Sequence, residues 1–143
     1  MARTAADLDT LIRLRDWTVD ERRRELGALL AREEQLIAYG RELERQLVRE
    51  GEVVKANTQM VGFMFGPFAE EHKKRRERLA ITLAALRREI EAARERLAEA
   101  YRERKTMEEV QKTRAERERV EAARIEQVAL DEIAATQHRM HGG

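Results

Sequence analysis

The chain has no cysteine, a single proline, and only one Trp, two Tyr and three Phe among its 143 residues. Without cysteine there is no disulfide framework and no thiolate zinc site. Long apolar runs are also missing. The most apolar stretch, MVGFMFGPF at 60–68, falls far short of the roughly 20 residues that a spanning helix needs. The start, MARTAADLDTLIRLRD, lacks the continuous apolar core of a secretion signal. A soluble cytoplasmic protein with no integral membrane segment is therefore expected. No excess of one charge exists either. Basic and acidic residues number 29 and 28, for a net charge of +1, so the basic footprint of a nucleic-acid-binding protein is absent.

What remains is mostly Glu, Arg, Ala and Leu, with 40% charged residues. That composition with helical spacing belongs to long helices and coiled coils. In the first half, Leu26, Leu29, Leu36, Leu43, Leu47 and Val54 fall on a ladder of alternating three- and four-residue steps. Polar or small residues (Glu33, Gly40, Glu50) take the missing rungs, and Leu30 and Ile37 widen the stripe. In the second half, Leu79, Leu83, Leu86, Ile90, Ala93, Leu97, Ala100, Arg104 and Met107 continue without a slip. Such a heptad pattern is the signature of a left-handed coiled coil. The pattern predicts an all-α fold, a single antiparallel coiled-coil hairpin. Its helices cover about 6–58 and 68–137, with a turn at 59–67 and a disordered tail at 138–143. Thr4 or Asp7 would cap the first helix, and Pro67 would be the first residue of the second.

The arms are unequal. If the chain reverses near 62–66, Leu8 lies opposite roughly residues 116–124, and the second helix overhangs beyond that point. The seam turns polar at Gln111, Arg114, Glu118 and Glu121, then becomes apolar again at Ile125, Val128, Leu130 and Ile133. An unpartnered apolar stripe on a projecting helix is a docking surface, for a different protein or for a second copy of the chain.

Little in the sequence supports catalysis. Gly62-x3-Gly66-Pro67 lacks the Lys-Ser/Thr of a phosphate loop. The acidic pairs Glu33/Glu34, Glu70/Glu71 and Glu108/Glu109 have no cleft to desolvate them on a rod. No enzyme activity, cofactor or metal is expected. His138 and His141 stand three apart in a polar tail with no third ligand near, and His72 is alone among charges. The tip offers three readings. Phe63, Phe65 and Phe68 could close the end of the coiled coil, contact a partner protein, or rest on an anionic membrane beside Lys73–Arg76. Trp17 could extend the buried stripe or stand as a partly exposed anchor.

The segment AYRERKTMEEVQKTRAERERVEAARIEQVALDEIA (100–134) resembles the end of the flagellar export protein FliJ family. The match runs through Arg102-Glu103-Arg104-Lys105, Glu108 and the ending Glu126-Gln127-Val128-Ala129-Leu130-Asp131-Glu132-Ile133-Ala134. The opening LIRLRDWTVDERRRELGALLAREEQL is similar to the family's first helix. The middle departs: GFMFGPF replaces a polar, Tyr-containing hairpin region. The resemblance implies a component of the flagellar type III export apparatus, peripheral to the inner membrane at the flagellar base. Such a protein is a gamma-like coiled-coil stalk that engages the hexameric export ATPase through the end bearing both termini. It also contacts the export-gate protein FlhA and handles export chaperones. Carried onto this chain, the ATPase-contacting residues would be Arg102, Arg104, Lys105, Ile125, Val128, Leu130, Asp131 and Ile133, with Phe63, Phe65 and Phe68 at the gate end. A homodimeric coiled-coil adaptor and the equivalent stalk of a virulence-type secretion system are the alternative readings.

Overall fold

Two helices account for the computed structural model: α1 (Arg3–Ala56) and α2 (Gly62–His141). It describes residues 3–56 and 62–142, with side chains at 7–56 and 66–142. The second helix is the longer, 80 residues against 54. Two compact units are formed, one of Met1–Trp17 with Tyr101–Gly143, the other of Thr18–Ala100.

In the unit of Thr18–Ala100 the two helices run antiparallel. Glu25 pairs with Arg96 (3.7 Å), Glu33 with Arg87 (3.2 Å) and Glu44 with Arg76 (3.0 Å). Each pair fits a register in which residue n faces a residue near 120 − n. The seam buries Val19, Leu43, Leu86, Ile90, Ala93 and Ala100, all on the three-four ladder. Where Gly40 takes a rung, the helices approach closely: a Cβ there would stand 2.9 Å from Leu79 Cδ2. His72 is also inside, 4% exposed, with Nε2 2.7 Å from the Leu43 carbonyl oxygen. The carbonyl accepts, so Nε2 carries the proton. Phe68 is half-buried and lies against it, ring centroids 6.3 Å apart.

In the other unit the same antiparallel sense holds. Arg15 pairs with Glu103 at 2.8 Å and Asp16 approaches Arg104 at 3.9 Å. That register puts Leu8 level with residues 110–112, not 116–124. The shift follows from where the helices end: α2 starts at Gly62, so the mirror point moves towards residue 60. Pro67 lies inside α2 rather than at its first position. It forfeits one backbone bond, to the Phe63 carbonyl, just past the first turn, whose own donors have no helical partner. Arg3 begins α1 ahead of both Thr4 and Asp7, which lie inside the helix. At the other end, α2 continues to His141, and the Gly142 N–H bonds to the His138 carbonyl at 2.8 Å. His138, Arg139 and His141 occupy the last turn, where positive charge suits the helix dipole. The turn between the helices lies outside the described residues.

Candidate functional site

With α1 starting at Arg3, the register pairs it with α2 only as far as about residue 117. Every described residue from Ala115 to Gly142 is exposed. Ile125, Val128, Leu130 and Ile133 are 45–56% exposed, so each large apolar side chain of this overhang is open. At 100° per residue they do not form one narrow line. Val128, Ile125, Ala129, Ile133 and Leu130 spread over about 200° of the helix circumference. A single flanking helix covers a stripe of roughly half that width. The arrangement is thus one that a surrounding surface can cover better than a side-by-side partner. Between these residues, Ala129, Glu132, Ile133, Thr136 and Gln137 line a shallow open groove.

Part of the charge on the overhang is held in short-range pairs. Arg119 bonds Glu116 at 2.6 Å and Arg124 bonds Glu121 at 2.7 Å. These hydrogen bonds hold both carboxyls below their ordinary value of 4.5 and raise the two guanidinium groups. Asp131 accepts from the Gln127 amide at 3.0 Å. Such pairs a turn apart rigidify the helix without using the apolar side chains.

The basic cluster is a separate feature. Lys105 and Ile125 are twenty positions apart, about 30 Å along a helix. Arg102 and Lys105 are exposed, whereas Arg104 is half-buried. Its guanidinium lies 5.1 Å from the Tyr101 ring centroid and within 4 Å of Asp16 and Glu108. Arg104 therefore works inside the seam, as its place on the three-four ladder dictates.

Of the tip residues, the side chains of Phe63 and Phe65 lie outside the described residues; Phe68 turns inward onto His72. Trp17 is 59% exposed, which places it outside the buried stripe. Leu11 and Leu14, six and three positions before it, are exposed too. Sequence reading missed His72. Its position seven before Leu79 continues the rungs of the second arm, but a histidine between charged residues gives no apolar signal. Among the described residues no group of three metal-ligating side chains occurs, and no helix is long and apolar enough to cross a membrane.

The family model of the flagellar FliJ protein matches residues 4–143. No curated protein and no solved structure matches the chain.

Proposed function

The chain belongs to the flagellar FliJ protein family, which makes it a flagellar export-related component, and on that premise we propose that it is a non-catalytic stalk of the export apparatus. The observation that carries this reading is the overhang of α2. Its apolar residues Ile125, Val128, Leu130 and Ile133 are open and spread around the helix. In the proposed role this end is enclosed by the ring of the export ATPase hexamer. Burial of the four side chains supplies affinity, and Arg102 and Lys105 add attraction to acidic residues near the ring mouth. Seating of the overhang promotes hexamer assembly or turnover. The opposite end of the hairpin meets the export-gate protein FlhA, and the helix surfaces between serve export chaperones.

The test replaces Leu130 and Ile133 with Asp. Each substitution forfeits about 2–3 kcal/mol of apolar burial in the complex, so binding to the ATPase should weaken at least a hundredfold. Stimulation of ATP hydrolysis should vanish with it, while helicity by circular dichroism stays unchanged. Unaltered pull-down and stimulation would remove the overhang from the mechanism.

A further inference from the structure

The overhang of α2 changes its charge pattern at Ile125. Just before it every glutamate is paired: Glu116 with Arg119, Glu118 with Arg114 and Glu121 with Arg124. From Ile125 to Gln137 there is no Lys or Arg, although 29 of the chain's 143 residues are basic. This window holds three exposed carboxylates, Glu126, Asp131 and Glu132, among Ile125, Val128, Leu130 and Ile133. Among the described residues none of the three carboxylates forms an ion pair; Asp131 accepts from the uncharged Gln127 amide. The flanking cations are committed elsewhere. Arg124 is bonded to Glu121 at 2.7 Å, and Arg139 Nε donates to the Ala135 carbonyl at 3.4 Å. At about 100° per residue, Asp131 lies about 140° round the helix from Glu126, Glu132 about 100° further, and about 120° closes the circle. By the same spacing Glu132 falls between Val128 and Ile125, Glu126 between Ile133 and Leu130, and Asp131 on the remaining side.

Any surface that encloses the apolar side chains therefore takes carboxylates out of water on three sides. An ionised carboxylate enclosed without a cation is costly, so a purely apolar socket fits poorly. A second copy fits no better: paired over this window, it sets carboxylates against carboxylates with no cation on either helix. An anionic bilayer and nucleic acid repel the window for the same reason. We propose that the occupant is a protein socket that presents Lys or Arg from all sides. Its cations meet Glu126, Asp131 and Glu132, while its apolar side chains cover Ile125, Val128, Leu130 and Ile133. This rests on the stalk reading above and adds to it the chemistry of the receiving surface. Identical subunits around a ring repeat one basic side chain at regular angles, which suits carboxylates about 100–140° apart. The preference reverses along α2, since Arg102 and Lys105 attract acidic groups and the window beyond Arg124 attracts basic ones.

The test titrates the full chain against the purified export ATPase hexamer at low and high salt, with circular dichroism as the control for helicity. Glu126→Gln, Asp131→Asn and Glu132→Gln together keep side-chain size and remove the charge. At low salt this triple variant should bind about tenfold more weakly or worse, and its affinity should depend less on salt than that of the unaltered chain. Each single amide should account for a comparable part of the loss, because the carboxylates face different sides. Glu126→Lys with Glu132→Lys should weaken binding about a further tenfold. Three results would overturn the proposal. One is a triple variant with unchanged affinity and salt dependence. Another is a loss confined to one carboxylate, which means a one-sided contact. The third is a dimer of the chain alone that Leu130→Asp breaks, which gives the face to a second copy. If Leu130→Asp with Ile133→Asp abolishes binding and the triple variant does not, the stalk reading stands and the basic socket falls. If neither set changes binding, both fall.

Discussion

Replacing Gly40 by alanine sets two effects of similar size against each other. Alanine in a helix interior is favoured over glycine by about 1 kcal/mol. At Gly27, where an added Cβ meets nothing within 4 Å, this gain is realised in full. Gly27→Ala should raise the melting temperature by roughly 2–4 °C for a chain of this size. At Gly40 the same Cβ would stand 2.9 Å from Leu79 Cδ2, well inside an ordinary carbon–carbon contact of about 3.5–4.0 Å. Leu79 is half-buried and is met at the end of its side chain, so it can turn, at a cost of about 0.5–1.5 kcal/mol. Where turning is blocked, the helices separate and the cost is about 1–3 kcal/mol. Gly40→Ala should therefore be neutral to destabilising, and at least about 1 kcal/mol worse than Gly27→Ala. A double-mutant cycle isolates the contact. In the Leu79→Ala background the clash is gone, so Gly40→Ala should regain its helix-propensity benefit, with a coupling of about 1 kcal/mol. Urea and thermal unfolding followed by circular dichroism give all four corners. If Gly40→Ala stabilises as much as Gly27→Ala, and adds independently to Leu79→Ala, the close helix approach at this rung is refuted.

His72→Ala should cost about 2–3 kcal/mol, because it empties a buried position and removes a bond across the seam. His72→Leu should cost under about 1.5 kcal/mol, since the Leu43 carbonyl keeps its helical partner and the volume is filled; equal losses for the two variants would mean that packing is not the main term. Lowering the pH should reduce helicity by circular dichroism. Arg119, Arg124 and Arg49 with Arg45 hold Glu116, Glu121 and Glu42 below 4.5 by hydrogen bonding, so the unfolded chain binds protons more readily. The stability these carboxylates contribute is fully present above about pH 4.5 and is lost as pH falls through their folded values. Helicity that holds constant or rises below pH 4 would contradict this. Mass measurement at low micromolar concentration should return a monomer, because apolar residues spread over about 200° provide no continuous seam for a second copy; a tight dimer would favour a homodimeric adaptor instead.

The fold was legible mainly because the second arm keeps its period without interruption. All nine rungs from Leu79 to Met107 are half-buried or buried, as a seam repeating every 3.5 residues on average requires. The first arm was readable only from Leu26. Its earlier rungs, down to Leu8, follow the same steps, yet Arg15 and Arg22 interrupt them, and hydropathy does not register an arginine whose stem packs while its head pairs outside. Gly40 is a similar case. It looked like a gap in the stripe, whereas its lack of a side chain is what lets Leu79 come close. The start of α2 was misplaced because a proline usually marks a first turn, while here one lost backbone bond near the helix end is tolerated.

At the proposed docking end, the apolar residues of the overhang were readable from spacing alone, but their distribution was not. As a list, Ile125, Val128, Leu130 and Ile133 resemble another stretch of the a/d seam. Their angular positions separate them from it. A seam residue shares its face with residues three and four away, but Leu130 sits about 140° round the helix from Ile125. One neighbouring helix therefore cannot cover both, and α1 ends before it could try. This distinction decides what kind of partner fits. A second coiled-coil strand would leave Leu130 or Val128 in water, whereas a ring or socket would take them all. The basic residues divide along the same physical line. Arg104 is on a rung and spends its charge on Asp16 and Glu108, while Arg102 and Lys105 are off the rungs and remain exposed. Charge reversal at Lys105 should therefore lower the association rate with an acidic partner by about tenfold at low salt, with the effect fading as salt rises. The same change at Arg104 should instead loosen the first turns of α1, detectable by hydrogen exchange before any partner is added. If Arg104→Glu leaves exchange at 7–17 unaltered and alters only the association rate, Arg104 belongs to the docking surface and not to the seam.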